Sequence, residues 1–137
     1  MRAVFADTSY WIALLNPDDG LHERAKMLSE SIRFTRVITS EMVLTEFLND
    51  CSGRGATLRR LAVSLVRRLR QKADVSVVSQ SSFLFHEALA LYEERGDKKW
   101  GLTDCSSIRI MQRDRLTQAL THDRHFEQAG FQALLRA

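Results

Sequence analysis

Residues 3–16 read AVFADTSYWIALLN: a short apolar run, one aspartate, two hydroxyl residues, then a longer apolar run that stops ahead of Pro17. The first run, Arg2 to Ala6, suits a strand buried on both faces, and the second has the length and the proline stop of a helix. A buried strand that passes straight into a helix is the opening half of a βαβ unit, and such strands belong to parallel sheets.

The alternation repeats downstream. Leu21, Ala25, Leu28 and Ile32 recur at helical spacing, RVIT (36–39) reads as a strand, and Ser40 is placed to cap a helix whose apolar face holds Met42, Val43, Phe47 and Leu48. CSGRG (51–55) is expected to be a loop because glycine and serine favour turns. In the next helix Leu58, Leu61, Ala62, Leu65, Val66 and Leu69 line one side, and Arg59, Arg60, Arg67, Arg68 and Arg70 occupy the rest. DVSVVS (74–79) alternates like a strand, and Ser81 or Ser82 caps a helix through Phe83, Ala88, Leu91 and Tyr92 that ends near Gly96. A further helix runs from Thr103 to about Asp114 with Ile108 and Met111 inward, and TQALTH (117–122) and FQALL (131–135) close the chain as short strands around a brief helical turn. Strands separated by helices call for right-handed crossovers. The expected fold is α/β, one α/β/α sandwich over residues 1–137 with a mainly parallel sheet of about four to five short strands.

At 137 residues and 45% hydrophobic content the chain has the makings of one domain core. A net charge of +3 fits a polyanionic partner and is equally ordinary for an enzyme. Cys51 and Cys105 lack CxxC spacing, which argues against a disulfide framework or a cysteine zinc site and for a reducing compartment. Asp7 breaks the apolar run from Ala3 to Leu15, which spoils a signal-peptide core, and no stretch reaches membrane-spanning length, so a cytoplasmic protein without a membrane partner is expected.

Four acidic residues stand out. Asp7 follows AVFA and Asp123 follows QALTH, at strand exits of the kind where α/β proteins gather ligands. Glu46, in TSEMVLTEFLND, is expected to border an apolar helix face, and Asp104 sits in the first turn of LTDCSSIRIM. Taken singly, each is explained as a solvated or capping carboxylate. Brought together, like charges would raise one another's pKa unless a cation intervened, and an all-oxygen donor set suits Mg²⁺ or Mn²⁺ beside a phosphate. Spacing alone leaves open whether they converge.

FADTSYWIALL, TSEMVLTEFLN, WGLTDCSSIRIM and ALTHDRHFEQAGF occur in the order and approximate spacing of the PIN-domain family, and from Val4 to about Leu134 the chain resembles its VapC-like toxin ribonucleases. The resemblance implies a catalytic set of Asp7, Glu46, Asp104 and Asp123, with Asp7 and Asp104 binding Mg²⁺ (or Mn²⁺) directly and Glu46 and Asp123 directly or through water. Asp97 would assist or merely cap a loop. Gly101 stands where close relatives often have serine. The implied activity is that of a metal-dependent endoribonuclease that hydrolyses RNA phosphodiester bonds with a metal-activated water, leaving 5′-phosphate and 3′-hydroxyl ends. It further implies the toxin of a type II toxin–antitoxin pair, a small antitoxin that places an arginine or lysine among the carboxylates, and a homodimer.

Other readings make distinct predictions. His122 and His125 invite histidine catalysis through a cyclic phosphate, or a zinc site. No second His or Cys group stands at ligand spacing, and His125 is expected near the surface, with His122 near the site without being a ligand. A phosphatase with Asp7 as nucleophile would need an acid two residues on, where Ser9 stands. A non-catalytic RNA-binding or protein-interaction module on the same scaffold would be expected to have lost part of the acidic set. Arg59, Arg60 and Arg67 form either a solvated face or an RNA-steering one. Tyr10 and Trp11 could stack on a base, with burial expected for at least one of them. Thr8 or Ser9 is expected to cap the first helix, leaving Asp7 free.

Overall fold

The computed structural model describes residues 2–136. Its strands are β1 (Ala3–Ala6), β2 (Arg36–Ser40), β3 (Val75–Val78), β4 (Gln118–Leu120) and β5 (Gln132–Ala133). They form one five-stranded sheet in the order β3-β2-β1-β4-β5, with every neighbouring pair parallel. Between them run α1 (Thr8–Leu15), α2 (His22–Ser31), α3 (Glu41–Ser52), α4 (Ala56–Gln71), α5 (Ser82–Glu94), α6 (Leu102–Arg113) and α7 (Arg124–Gln128).

The central strand is the one the opening stretch encodes. Val4, Phe5 and Ala6 are buried, and Phe5 stands in register with Ile38 on one side and Ala119 on the other. From β1 the chain winds outward through β2 to β3, then returns by α5 and α6 to lay β4 against the free side of β1. Right-handed crossovers running in opposite directions along a sheet put α1 to α4 on one face and α5 to α7 on the other, giving the expected α/β/α sandwich. That reversal creates a topological switch point between β1 and β4, where the carboxyl ends of two adjacent strands diverge and leave a crevice.

The main core joins Phe5, Leu120 and Phe126 to Phe47 of α3 and to Ile110 and Met111 of α6. A second cluster of Ala88, Leu91, Trp100, Cys105 and Ile108 seals α5 to α6, and Trp100 ties it to α7 by donating to the Gln128 side chain at 3.0 Å. Local stop and start signals act as expected: Ser40 Oγ accepts from the Val43 amide and Ser81 Oγ from the Leu84 amide, each at 3.1 Å.

Several local expectations are corrected. Cys51 and Ser52 are not loop but the last turn of α3, because the Cys51 side chain is buried in the core and holds that turn down. Leu61 does not face inward; it is 47% exposed, since α4 packs over the sheet edge on a narrow stripe in which only Ala62 and Leu69 are buried. Both Tyr10 and Trp11 are buried, ring edge against ring face at 5.0 Å between centroids. Trp11 Nε1 donates to Thr39 Oγ1 at 3.2 Å, and that hydroxyl donates to the Ala6 carbonyl at 2.8 Å, so the indole clasps α1 to β2 and β1 and has no face left to stack on a base. Among the described residues no helix is long and apolar enough to cross a membrane.

Candidate active site

Asp7 leaves the end of β1 with its amide still bonded to the Leu120 carbonyl of β4 at 3.1 Å, so the residue is pinned at the switch point by the sheet ladder itself. Its side chain does not cap α1, and neither do those of Thr8 and Ser9, contrary to the expected division of labour. The Thr8 hydroxyl is buried without a partner among the described residues, and Ser9 reaches across to Thr121 just past β4. The physical reason is Thr121, just past β4. Its hydroxyl donates to Asp7 Oδ2 at 2.9 Å and accepts the Asp123 amide at 3.0 Å. One hydroxyl has one proton, so in the contact of 3.2 Å with Thr121 it is Ser9 that donates, and Ser9 in turn accepts the His122 amide at 3.1 Å. The result is a directed chain, His122 N–H to Ser9 to Thr121 to Asp7, in which each bond polarises the next.

Asp104 approaches from α6. Its Oδ2 accepts the Gly101 amide at 3.0 Å, which ties the carboxylate to the helix start. Asp123 caps α7 by accepting the His125 amide on Oδ1 at 2.9 Å. His125 then turns back so that Nδ1 lies 2.9 Å from Asp104 Oδ2 and 3.2 Å from Asp123 Oδ1. Potential ligand atoms of Asp104, Asp123 and His125 all lie within 4.8 Å of one another. The second oxygens of Asp104 and Asp123 receive no hydrogen bond from the described residues.

Burial and crowding load this cluster electrostatically. Asp7 is pushed up to about 7, chiefly because burial strips water from the carboxylate, with the charges of Asp104 and Glu46 adding to the rise and the Thr8 amide and Thr121 hydroxyl opposing it. Asp104 is also raised, first by burial and then by Asp123, against the Gly101 amide and His125.

The predicted residues therefore fare differently. Asp7, Asp104 and Asp123 come together with their neighbours at the switch point. Glu46 is exposed and does not border the apolar face, because α3 turns Val43, Leu44, Phe47 and Cys51 inward; its charge nevertheless reaches Asp7. Asp97 is drawn elsewhere, with Arg95 gripping both its oxygens at 3.0 Å. His125 is not a surface residue outside the site; it is wedged between two of the carboxylates, while His122 is exposed and contributes only backbone bonds. Thr121 and Ser9 were not singled out as site residues in the sequence. The signal for Thr121 was its place two residues before Asp123 in THD, which puts a hydroxyl at the strand exit. Arg59, Arg60 and Arg67 lie on the exposed face of α4, and no carboxylate forms an ion pair with them among the described residues.

Thr121→Val keeps the shape and removes the junction of this network. The Asp123 amide and the Ser9 hydroxyl lose their acceptor and Asp7 loses its donor, so a loss of about 2–4 kcal/mol in urea unfolding is expected, with Thr121→Ser recovering most of it. A midpoint equal to that of the parent would show that the chain of hydroxyls carries no stability.

The sheet is a doubly wound α/β arrangement with acidic residues at its switch point, and the chain belongs to the PIN-domain family: the PIN domain model matches residues 4–132. The 23S rRNA-specific endonuclease VapC20 of Mycobacterium tuberculosis is 30% identical over 131 residues, covering 93% of this chain and 95% of that protein. The crystal structure of M. tuberculosis VapC20, described as a sarcin-ricin loop cleaving toxin, matches with a TM-score of 0.82 at 28% identity, over 93% of this chain and 95% of the other. FitAcB from Neisseria gonorrhoeae matches with a TM-score of 0.64 at 16% identity over 95% of both chains, a likeness of fold alone.

Proposed function

We propose that the protein is a metal-dependent endoribonuclease, the toxin of a type II toxin–antitoxin pair, with a structured RNA such as a ribosomal stem-loop as substrate. The observation that carries this reading is the set of carboxylates Asp7, Asp104 and Asp123 gathered at the β1/β4 switch point, Asp104 and Asp123 each with one oxygen anchored by a backbone amide and the other free of hydrogen bonds from the described residues. The donors are mainly carboxylate oxygen, which fits Mg²⁺ or Mn²⁺.

When bound, the cation supplies Lewis-acid stabilisation of the scissile phosphate and acidifies a water for attack. The chain's own part is to hold and tune the donors. Thr121 fixes the Asp7 carboxylate through Oδ2, and Gly101 fixes that of Asp104. Asp7 and Asp104 are the proposed direct ligands; Asp7 must lose a proton that burial makes it retain, so cation affinity should climb as pH rises through about 7, and burial raises Asp104 in the same direction. Asp123 and Glu46 complete the negative field, directly or through water. Arg59, Arg60 and Arg67 would contact RNA phosphates, which predicts that Arg59→Glu with Arg67→Glu raises KM and flattens its salt dependence with kcat retained. The phosphatase reading gains nothing, because the Ser9 hydroxyl is engaged by Thr121 and His122 and offers no acid beside Asp7.

The family also suggests a homodimer and a small antitoxin. The exposed apolar side chains Phe85, Leu89 and Tyr92 on α5 support pairing of two copies, which sedimentation would detect as twice the chain mass. An antitoxin peptide would relieve the repulsion among the carboxylates with an arginine or lysine, so its binding should compete with Mn²⁺ in a titration.

The deciding experiment is digestion of a ribosomal RNA stem-loop with Mg²⁺, with Mn²⁺ and with EDTA, followed by end-group analysis. Cleavage that needs the cation, leaves 5′-phosphates and disappears in Asp104→Asn is expected. Full activity in EDTA, or a cyclic phosphate product, would replace this mechanism by histidine catalysis, and metal-strengthened binding without cleavage would leave an RNA-binding module.

A further inference from the structure

We infer that His125 is a direct nitrogen ligand of the cation held by Asp104 and Asp123, making this a mixed carboxylate and imidazole centre that selects Mn²⁺ over Mg²⁺. The inference rests on the reading above that the carboxylates hold a divalent cation, and goes beyond it in assigning a ligand and a metal preference.

One ligand atom from each of Asp104, Asp123 and His125 lies within 4.8 Å of the others, a spread that a single cation can bridge. Two adjacent ligands of an octahedral ion, each about 2.1–2.2 Å from the metal, are about 3 Å apart. Nδ1 of His125 lies 2.9 Å from Asp104 Oδ2 and 3.2 Å from Asp123 Oδ1. Without a cation this contact is a hydrogen bond in which the imidazole N–H donates to the carboxylates, and a divalent ion takes the place of that proton. Asp104 Oδ2 already receives the Gly101 amide at 3.0 Å, and Asp123 Oδ1 already receives the His125 amide at 2.9 Å. These amides keep the two anchored oxygens in place when a cation displaces the imidazole proton, so that Nδ1 and the second carboxylate oxygens, which receive no hydrogen bond from the described residues, can turn to one ion.

The backbone holds this arrangement in place. Asp123 is the N-cap of α7 and His125 lies in its first turn, so a single capping turn presents both donors, and the buried ring of Phe126 beside them anchors the turn to the core. The His125 side chain is 25% exposed, so the cluster opens to solvent. Nitrogen in the shell favours a transition ion over Mg²⁺, which demands oxygen and water.

The test uses the full chain loaded with Mn²⁺ and pulsed EPR, which detects ¹⁴N coupled to the ion without requiring turnover. Wild type is expected to show imidazole ¹⁴N modulation that His125→Ala abolishes and His122→Ala retains. By calorimetry His125→Ala should weaken Mn²⁺ binding about tenfold and Mg²⁺ binding less than twofold. His125→Asn, which keeps a hydrogen-bonding group toward Asp104, should lose the imidazole signal as well and guards against a folding artefact of the alanine. Mn²⁺ bound without ¹⁴N modulation in wild type, or bound equally well by the alanine and asparagine variants, would overturn the inference while leaving the nuclease reading intact. Absence of Mn²⁺ binding by wild type, or undiminished binding by Asp104→Asn, would overturn both.

Discussion

Asp7→Asn is expected to be inactive and, at neutral pH without added metal, more stable than the parent. Asp7 ionises near 3.8 in an unfolded chain and near 7 in the folded one. Between those values the folded state keeps a proton that the unfolded state has released, so stability falls as pH rises through this window and the full penalty is present above about 7. The gap corresponds to an effect of about 4 kcal/mol. Asparagine is uncharged, fits the same space and can still accept the Thr121 proton. Its melting temperature should therefore exceed the parent's by roughly 5–10 °C at pH 8, and the difference should vanish near pH 4. Saturating Mn²⁺ should reverse the order, because only the parent gains binding energy from the ion. RNA cleavage should fall at least about a hundredfold. Equal melting curves at pH 8 would mean that the buried carboxylate is not held at the expense of the fold.

The second large effect is expected from Phe126→Ala. The ring is fully buried and stacks on Phe5 with centroids 6.4 Å apart, so it is the anchor that fastens the five-residue helix α7 to β1. Truncation should cost about 3–5 kcal/mol in urea unfolding, a large share of the roughly 5–15 kcal/mol that a domain has in total. Because Asp123 and His125 ride on this turn, cation affinity should fall in the fraction that stays folded. Phe126→Leu, which fills most of the volume, should lose less than half as much. A cost below about 1 kcal/mol for the alanine would show that α7 is fastened by other means.

Both effects come from the same construction: a strand exit that buries a carboxylate and a short capping turn nailed down by one aromatic ring. The features that were legible in the chain are those governed by neighbours in sequence. Ser40 and Ser81 cap their helices because the amides they satisfy are three residues away. The strand at Ala3–Ala6 and the helix after it follow from an unbroken apolar run and a proline stop. Where a side chain's partner comes from a distant segment, local pattern misleads. Leu61 has the spacing of a core residue but stays 47% exposed on α4, and the pattern does not tell that both Tyr10 and Trp11 are buried, the indole because Thr39 gives it a partner. Asp97 stands near Asp104 in sequence, yet Arg95, two residues before it, takes it as an ion pair.

For the candidate site the division is clear. By itself the sequence determined which residues carry charge at helix starts and strand exits, because caps, periodicity and turn chemistry are local, and its resemblance to the family pointed to Asp7, Glu46, Asp104 and Asp123 as a candidate set. Only the tertiary structure decided that β4 enters beside β1, which brings Asp123, His125 and Thr121 to Asp7, more than a hundred residues earlier in the chain. Burial at that junction, absent from any local pattern, is what raises Asp7 to about 7, and it follows from the packing of strands that the chain itself keeps far apart.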